Sequence, residues 1–424
     1  MRRIAVLDAP SNLGLRPPTA SSVPGCAKAP GALRDHALLT RLGARDAGCV
    51  TPARFDPAGW QPGDGVAQSE DLAVFARRLA DRIGTIIDAG DFPVVLGGDC
   101  SILLGAGLAM RRHGSTVDGR VGLVYVDGHS DFRHQGNASY VGAAGGEALA
   151  LATGRGQANL AGIENRRPYF RDVDVVLLGV RTHDEYRLDL QAAGILARAV
   201  PELRSDGAPR SAQWARQHLS ECVGYWVHVD VDVLDPAVMP AVDAPDAGGI
   251  AYTELEQLLQ GLVDTPRCLG LQVTVFDPDY DPDAVYAREV ADTLVAGLSP
   301  LVTAYEAEAR RPLPLRELPL IPRDPGVPAP RAAPSPRTPA ESTARAAEAA
   351  HPEAYGAEDM YLAEPVPDDD LFLAEPMAGL DLDPDRHTAP APAVAPPVDG
   401  GTVAGDRDGE FEPVDDLMEK RLTG

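Results

Sequence analysis

The 424-residue sequence predicts an α/β fold: a three-layer αβα domain around a mainly parallel sheet over residues 1–310, then a disordered C-terminal tail, 311–424. Three observations carry this. Short, nearly continuous apolar runs alternate with amphipathic stretches of helical period. Carboxylates and glycines follow directly after several of the runs, where ligands gather in open parallel sheets. Composition breaks sharply after Arg311.

The apolar runs fall at 4–7, 93–96, 121–126, 173–180, 225–233 and 269–276. They are rich in valine, isoleucine and leucine rather than alternating, as expected of strands covered on both faces. Between them, 70–88, 102–112, 211–222, 253–263 and 284–298 carry apolar residues at helical spacing and supply the covering layers. Past Arg311 the character changes. Residues 312–424 hold 20 of the 39 prolines, with 23 acidic and 9 basic residues. Such a segment cannot bury enough apolar surface to offset the entropy of ordering. Two near-copies stand in it, Tyr361-Leu362-Ala363-Glu364-Pro365 and Phe372-Leu373-Ala374-Glu375-Pro376. They read either as docking peptides for an unknown protein or as a drifted low-complexity repeat.

A formal net charge of −25 argues against nucleic acid or an anionic membrane as partner, because both require concentrated positive charge. No apolar run is long enough to span a bilayer, and the N-terminal apolar segment stops at Asp8, too short for a secretory leader. The five cysteines are scattered, with no CxxC spacing, which fits a reducing compartment. A cytoplasmic protein acting on a small molecule is expected.

Three strand ends carry chemistry. In Val94-Val95-Leu96-Gly97-Gly98-Asp99-Cys100-Ser101 paired glycines let the backbone turn tightly and approach a ligand, although such a turn also serves structure alone. In Val126-Asp127-Gly128-His129-Ser130-Asp131 three polar side chains spaced by two point to one side of an extended chain. Two carboxylates and an imidazole suit manganese, iron or zinc; a capping and turn cluster is the alternative. In Trp226-Val227-His228-Val229-Asp230-Val231-Asp232-Val233-Leu234-Asp235-Pro236 His228, Asp230 and Asp232 share one face and the valines the other. Carboxylates in a valine-rich strand are costly to bury unless paired or metal-bound. The second and third segments together could bridge two ions, which roughly 3.5–4 Å apart can share and activate a hydroxide.

These three segments, in this order, resemble the signature motifs of the ureohydrolase family, which includes arginase, agmatinase and formimidoylglutamase. Gly25, Pro30 and Arg34 resemble its N-terminal pattern, and Gly248-Gly249 its glycine pair after the third motif. The resemblance spans residues 1 to about 305. It implies an arginase-like fold, a homo-oligomer and two divalent ions, manganese foremost, whose bridging hydroxide attacks a guanidinium or amidine carbon. Carried over, Asp127, Asp230 and Asp232 are metal-binding aspartates, Asp131 ligates one ion and His129 the other, and Asp99 and Asp235 are orienting residues behind the ligands.

Three departures qualify this. Cys100 stands where the family has a metal-binding histidine. As a thiolate it would favour zinc or iron; the alternative is an inert buried thiol. Gly145 stands at the family's proton-shuttle histidine, so His134, Glu147 or His228 would have to carry protons, unless His228 is simply a core histidine. Thr274 replaces a glutamate that pairs with the guanidinium, leaving Asp184 or Glu185 to contact a cation, or a neutral substrate. The expected function is hydrolysis of a linear amidine or guanidino C–N bond, with Asp127, His129 and His228 as catalytic candidates and Thr274, Asp184 and Glu147 as substrate-binding candidates. The rival is a catalytically silent relative that binds a metabolite or partner.

Overall fold

The computed structural model describes residues 2–309, apart from Ala20, Ser21 and Gly59. The expected tail and its two repeats lie outside the described residues. Eight strands form one sheet: β1 (Ile4–Ala9), β2 (Arg45–Cys49), β3 (Phe92–Gly97), β4 (Val121–Val126), β5 (Val175–Val180), β6 (Leu196–Ala199), β7 (Gly224–Asp230) and β8 (Cys268–Thr274). Their order is β2-β1-β3-β8-β7-β4-β5-β6, and every pairing is parallel.

All residues of β3, β4, β5 and β7 are buried, the consequence of apolar side chains on both strand faces meeting helices above and below. One layer contains Ser69–Asp88 and Leu103–Thr116, packed on each other. Ser69–Asp88 buries Leu72, Phe75, Leu79, Ile83 and Ile86 at three- and four-residue spacing. The other contains Ala208–His218, Tyr252–Val263 and Val285–Gly297, with Tyr252–Val263 packed against both of the others. Among the described residues no helix is long and apolar enough to cross a membrane.

The hydrophobic pattern misses β2 and β6. Both are short edge strands with polar residues, Arg45-Asp46 in one and Arg198 in the other. An edge lacks one neighbour and escapes the demand for continuous apolarity.

Two expected extended segments are also corrected. The 225–233 run does not continue as a strand: β7 ends at Asp230 and Val231–Val233 forms a 3-10 turn. Asp127, His129 and Asp131 do not lie along one extended face either, because β4 ends at Val126 and Asp131 has φ +46°. Side-chain to backbone hydrogen bonds explain both breaks. Asp230 Oδ1 accepts the Asp232 N–H at 2.8 Å and Asp127 Oδ1 the His129 N–H at 2.6 Å, so each aspartate caps its own turn.

The strand order places the chemistry. β3, β8, β7 and β4 are consecutive in the sheet, so the three motifs and Thr274 leave from four neighbouring carboxyl ends, where a doubly covered sheet opens to ligands.

Candidate metal centre

Two groupings of donors form at these strand ends and share Asp127. Cys100, Asp127, His228 and Asp230 present atoms all within 4.8 Å of one another, and Asp127, His129 and Asp232 do the same. In the first, Cys100 Sγ lies 2.7 Å from Asp230 Oδ2 and 3.3 Å from Thr274 Oγ1. In the second, His129 Nδ1 lies 2.8 Å from Asp232 Oδ2, while Asp232 Oδ1 accepts the Gly128 N–H at 3.1 Å. Buried Asp127 Oδ2 and His228 Nε2 have no hydrogen-bond partner and face each other at 3.8 Å.

The electrostatics follow from crowding. Burial, then the charges of Asp232, Asp131 and Asp230, push the Asp127 carboxyl well above its usual range. Burial and the neighbouring Asp232 raise Asp230 likewise. Burial works against the Asp232 carboxylate too, but the hydrogen bond and charge of His129 outweigh it and hold its pKa low. The same bond lifts His129 to about 10. Burial and the surrounding aspartates raise the Cys100 thiol well above normal. Unpaired buried carboxylates are costly, so a donor set of carboxylates, imidazole and sulfur with orphaned atoms fits divalent cations of intermediate hardness.

A cavity of about 490 Å³ opens above the cluster, with Cys100, His129, Asp131, Asp230 and Asp232 in its floor and wall. Its mouth carries Asp184, Glu185, Asp243 and Asp246, together with Arg16 and Arg133.

A profile of the Arginase family matches residues 2–298. The chain belongs to that family. The relatives of this arginase-family protein include arginase from Agrobacterium fabrum, 28% identical over 290 residues that cover 66% of this chain and 87% of that protein. Formimidoylglutamase from Aeromonas salmonicida is 28% identical, covering 63% and 78%. The solved arginase of Bacillus caldovelox superposes with a TM-score of 0.62 at 25% identity, covering 70% of this chain and 98% of that one.

Within the arginase-family chain the remaining predicted residues take distinct positions. Asp131 lines the cavity outside both donor groupings; its Oδ2 accepts the Tyr125 hydroxyl at 2.5 Å, and burial lifts its pKa to about 7. Asp184 is at the mouth, its carboxylate accepting the Ser130 and Tyr186 N–H groups. Thr274 sits beneath the floor, donating to Val229 O at 3.3 Å and touching Cys100. Glu147 is buried and accepts the Gly142 and Ala143 N–H groups, which closes its own loop. His134 accepts the Gly136 N–H inside a turn. Neither Glu147, His134 nor Thr274 lines the cavity.

The supporting residues divide by segment. Asp99 accepts bonds from Ser11 Oγ, Gly14 N and Ser101 N, tying the first motif to the loop after β1. Asp235 accepts the Ala237, Gly248 and Gly249 N–H groups, which joins the third motif to its glycine pair. Arg34 pairs with Asp8 and Asp46, and the Gly25 N–H donates to Asp277.

Sequence reasoning missed several residues of the site. Buried Arg181 donates to the carbonyls of Asp232, Val233, Leu234 and Asp246, clasping the third motif's turn. Its signal was an arginine directly after an apolar strand. Val275, at φ +72°, is held by donating to Gly98 O at 2.7 Å, an unfavourable conformation for a β-branched side chain at the cavity wall. Tyr125 and Gln272 sit inside apolar strands and flank His228 in the sheet register. Nothing in their spacing set them apart.

Proposed function

We propose that this protein hydrolyses a C–N bond in a linear amidine or guanidino compound at the strand-end cluster, as the names of its arginase and formimidoylglutamase relatives suggest. The observation that carries this reading is the sharing of Asp127 between two donor groupings, one buried and one with a half-buried His129, in a family member. Cys100, Asp127, Asp131 and Asp230 would hold one divalent ion and His129, Asp127, Asp230 and Asp232 the other. A bound pair of ions supplies an activated water at neutral pH and stabilises charge developing on the substrate carbon's substituents.

The chain's own residues then orient and select. A hydrogen bond donated by His129 Nδ1 to the Asp232 carboxylate fixes the His129 ring, and the turn N–H groups aim the Asp127 and Asp230 carboxylates. The carboxylates of Asp184, Glu185, Asp243 and Asp246 favour a cationic group at the mouth, a role that Thr274 cannot take from beneath the floor. Asp131, with a pKa of about 7 before any cation binds, and His129, lifted to about 10, both face the cavity. Manganese is the first choice of metal, and a Cys100 thiolate would shift the preference toward zinc or iron. We assign the activity to the cytoplasm, in keeping with five free cysteines, and to a homo-oligomer, as is common in the family.

The Cys100–Asp230 contact favours one rival, a silent member in which the thiol merely caps a protonated carboxyl. Elemental analysis after separate reconstitution with manganese and zinc, followed by assay of urea or formamide release from a panel of guanidino and formimino compounds, separates the two. Two ions per chain with turnover support the hydrolase. Less than about one ion per chain, without turnover, supports the silent binder.

A further inference from the structure

His228 belongs by distance to the first donor grouping, yet the hydrogen bonds behind it point its lone pair the other way. The Trp226 indole N–H can only donate, and its partner at 3.0 Å is the Gln272 side-chain amide. Only the amide oxygen can receive that proton. The amide nitrogen, a donor without lone pairs, therefore faces His228 Nδ1 at 2.7 Å. Nδ1 must accept, so the neutral ring carries its single proton on Nε2. The indole N–H permits this one orientation of the amide alone. Tyr125, stacked on the imidazole with ring centroids 4.2 Å apart and planes 6° from parallel, holds the ring plane. Nε2 then faces Asp127 Oδ2 at 3.8 Å.

We infer that His228 is a positioning residue, not a metal ligand: a tautomer-locked Nε2–H donor that orients the Asp127 carboxylate through its Oδ2. The inference rests on the metal-centre reading for its functional meaning. The oxygen lies less than about 1 Å beyond hydrogen-bond distance, while Oδ1 is taken by the His129 N–H. Ligation through Nε2 would require the proton to move to Nδ1. That sets Nδ1–H against the amide N–H, or, after an amide flip, the amide N–H against the indole N–H. In either case donor faces donor in a site that is fully buried at His228, Trp226 and Gln272. The chain has thus placed an imidazole beside the position of Cys100 without replacing the imidazole ligand that Cys100 removed.

The test is a long-range 1H–15N correlation spectrum of the full chain labelled with 15N-histidine, recorded metal-free and after loading with zinc. His228 is assigned by its loss in His228→Gln. The expected result is a protonated Nε2 and a bare Nδ1 in both states. Zinc binding accompanied by loss of the Nε2 proton would overturn the inference and leave the metal reading intact. A retained Nε2 proton without bound zinc would support the tautomer assignment and remove the metal reading. In Trp226→Phe the amide is free to turn, so the metal-free protein should populate both tautomers; an unchanged single tautomer there would refute the relay. The wild-type spectra decide the question if that variant does not fold.

Discussion

Cys100 Sγ lies 2.7 Å from Asp230 Oδ2, so a thiol of the first motif is hydrogen-bonded to an aspartate of the third. In the metal-free protein, burial and the neighbouring carboxylates keep this sulfur protonated. A cation would reverse that balance, since a thiolate beside a divalent ion is stabilised by direct coordination. We expect cobalt(II) loading to give a sulfur-to-metal charge-transfer band in the near ultraviolet, lost in Cys100→Ser together with roughly tenfold or more in metal affinity. If the wild-type spectrum lacks the band, Cys100 is an inert core thiol.

Charge crowding predicts opposite signs for one substitution. Asp230→Asn keeps an oxygen for the Asp232 N–H and removes a buried charge beside Asp232. At pH 8 without metal it should stabilise the fold, by about 1–2 kcal/mol. With manganese present the order should invert, because the wild type gains RT ln(1 + [M]/Kd), about 2.7 kcal/mol at a hundredfold excess over Kd, and the variant loses most of it. Thermal melts with manganese and with chelator check both halves. A variant destabilised equally in both conditions would mean that Asp230 is purely structural.

Glu147 offers a pH signature away from the cluster. Burial is the largest influence on its carboxyl and raises the pKa from 4.5 to about 6, and Oε2 has no partner. A raised folded-state pKa means that the protonated form is preferred in the fold. Its contribution is complete below about pH 4.5 and is lost as pH rises through 6. Glu147→Gln should therefore gain stability relative to wild type between pH 4.5 and 7.5, by at most about 2 kcal/mol. Urea denaturation at the two pH values measures the difference. An equal offset at both would contradict the assignment.

Gly98 is required by close backbone approach. A Cβ there would lie 1.7 Å from Ser11 O and 2.6 Å from Ser11 C, and neither backbone atom can move without breaking the Asp99 N–H bond to Ser11 O. Gly98→Ala should cost at least about 3 kcal/mol or abolish folding. Gly146→Ala, with nothing within 4 Å of its Cβ, should fall within about 1 kcal/mol of wild type. Chemical denaturation of the pair is the check, and similar losses in both would argue against the Ser11 contact.

The central strands were legible because burial on two faces imposes continuous apolarity, visible in Val121–Val126 and Val175–Val180 without any partner in view. Motif order likewise singled out Asp127, His129, Asp230 and Asp232 as candidates, since carboxylates buried at the ends of such strands are costly unless they are hydrogen-bonded or metal-bound. The edge strands Arg45–Cys49 and Leu196–Ala199 were not legible, because half-covered strands need no pattern. Gln272 and Trp226 looked like ordinary strand residues, and only the register that sets His228 opposite Gln272 gives them a role.

By itself the sequence determined the α/β class, the family and the residue types at three strand ends, because these depend on local pattern and chain order. The tertiary structure alone decided which of those residues meet. It joined Cys100 to Asp230, placed Thr274 beneath the cavity and not in its wall, closed Glu147 into its own loop, and turned the His228 lone pair toward Gln272. Each of these is a contact between segments distant in the chain or a hydrogen bond within a loop, and neither is encoded in the spacing of residues along one strand.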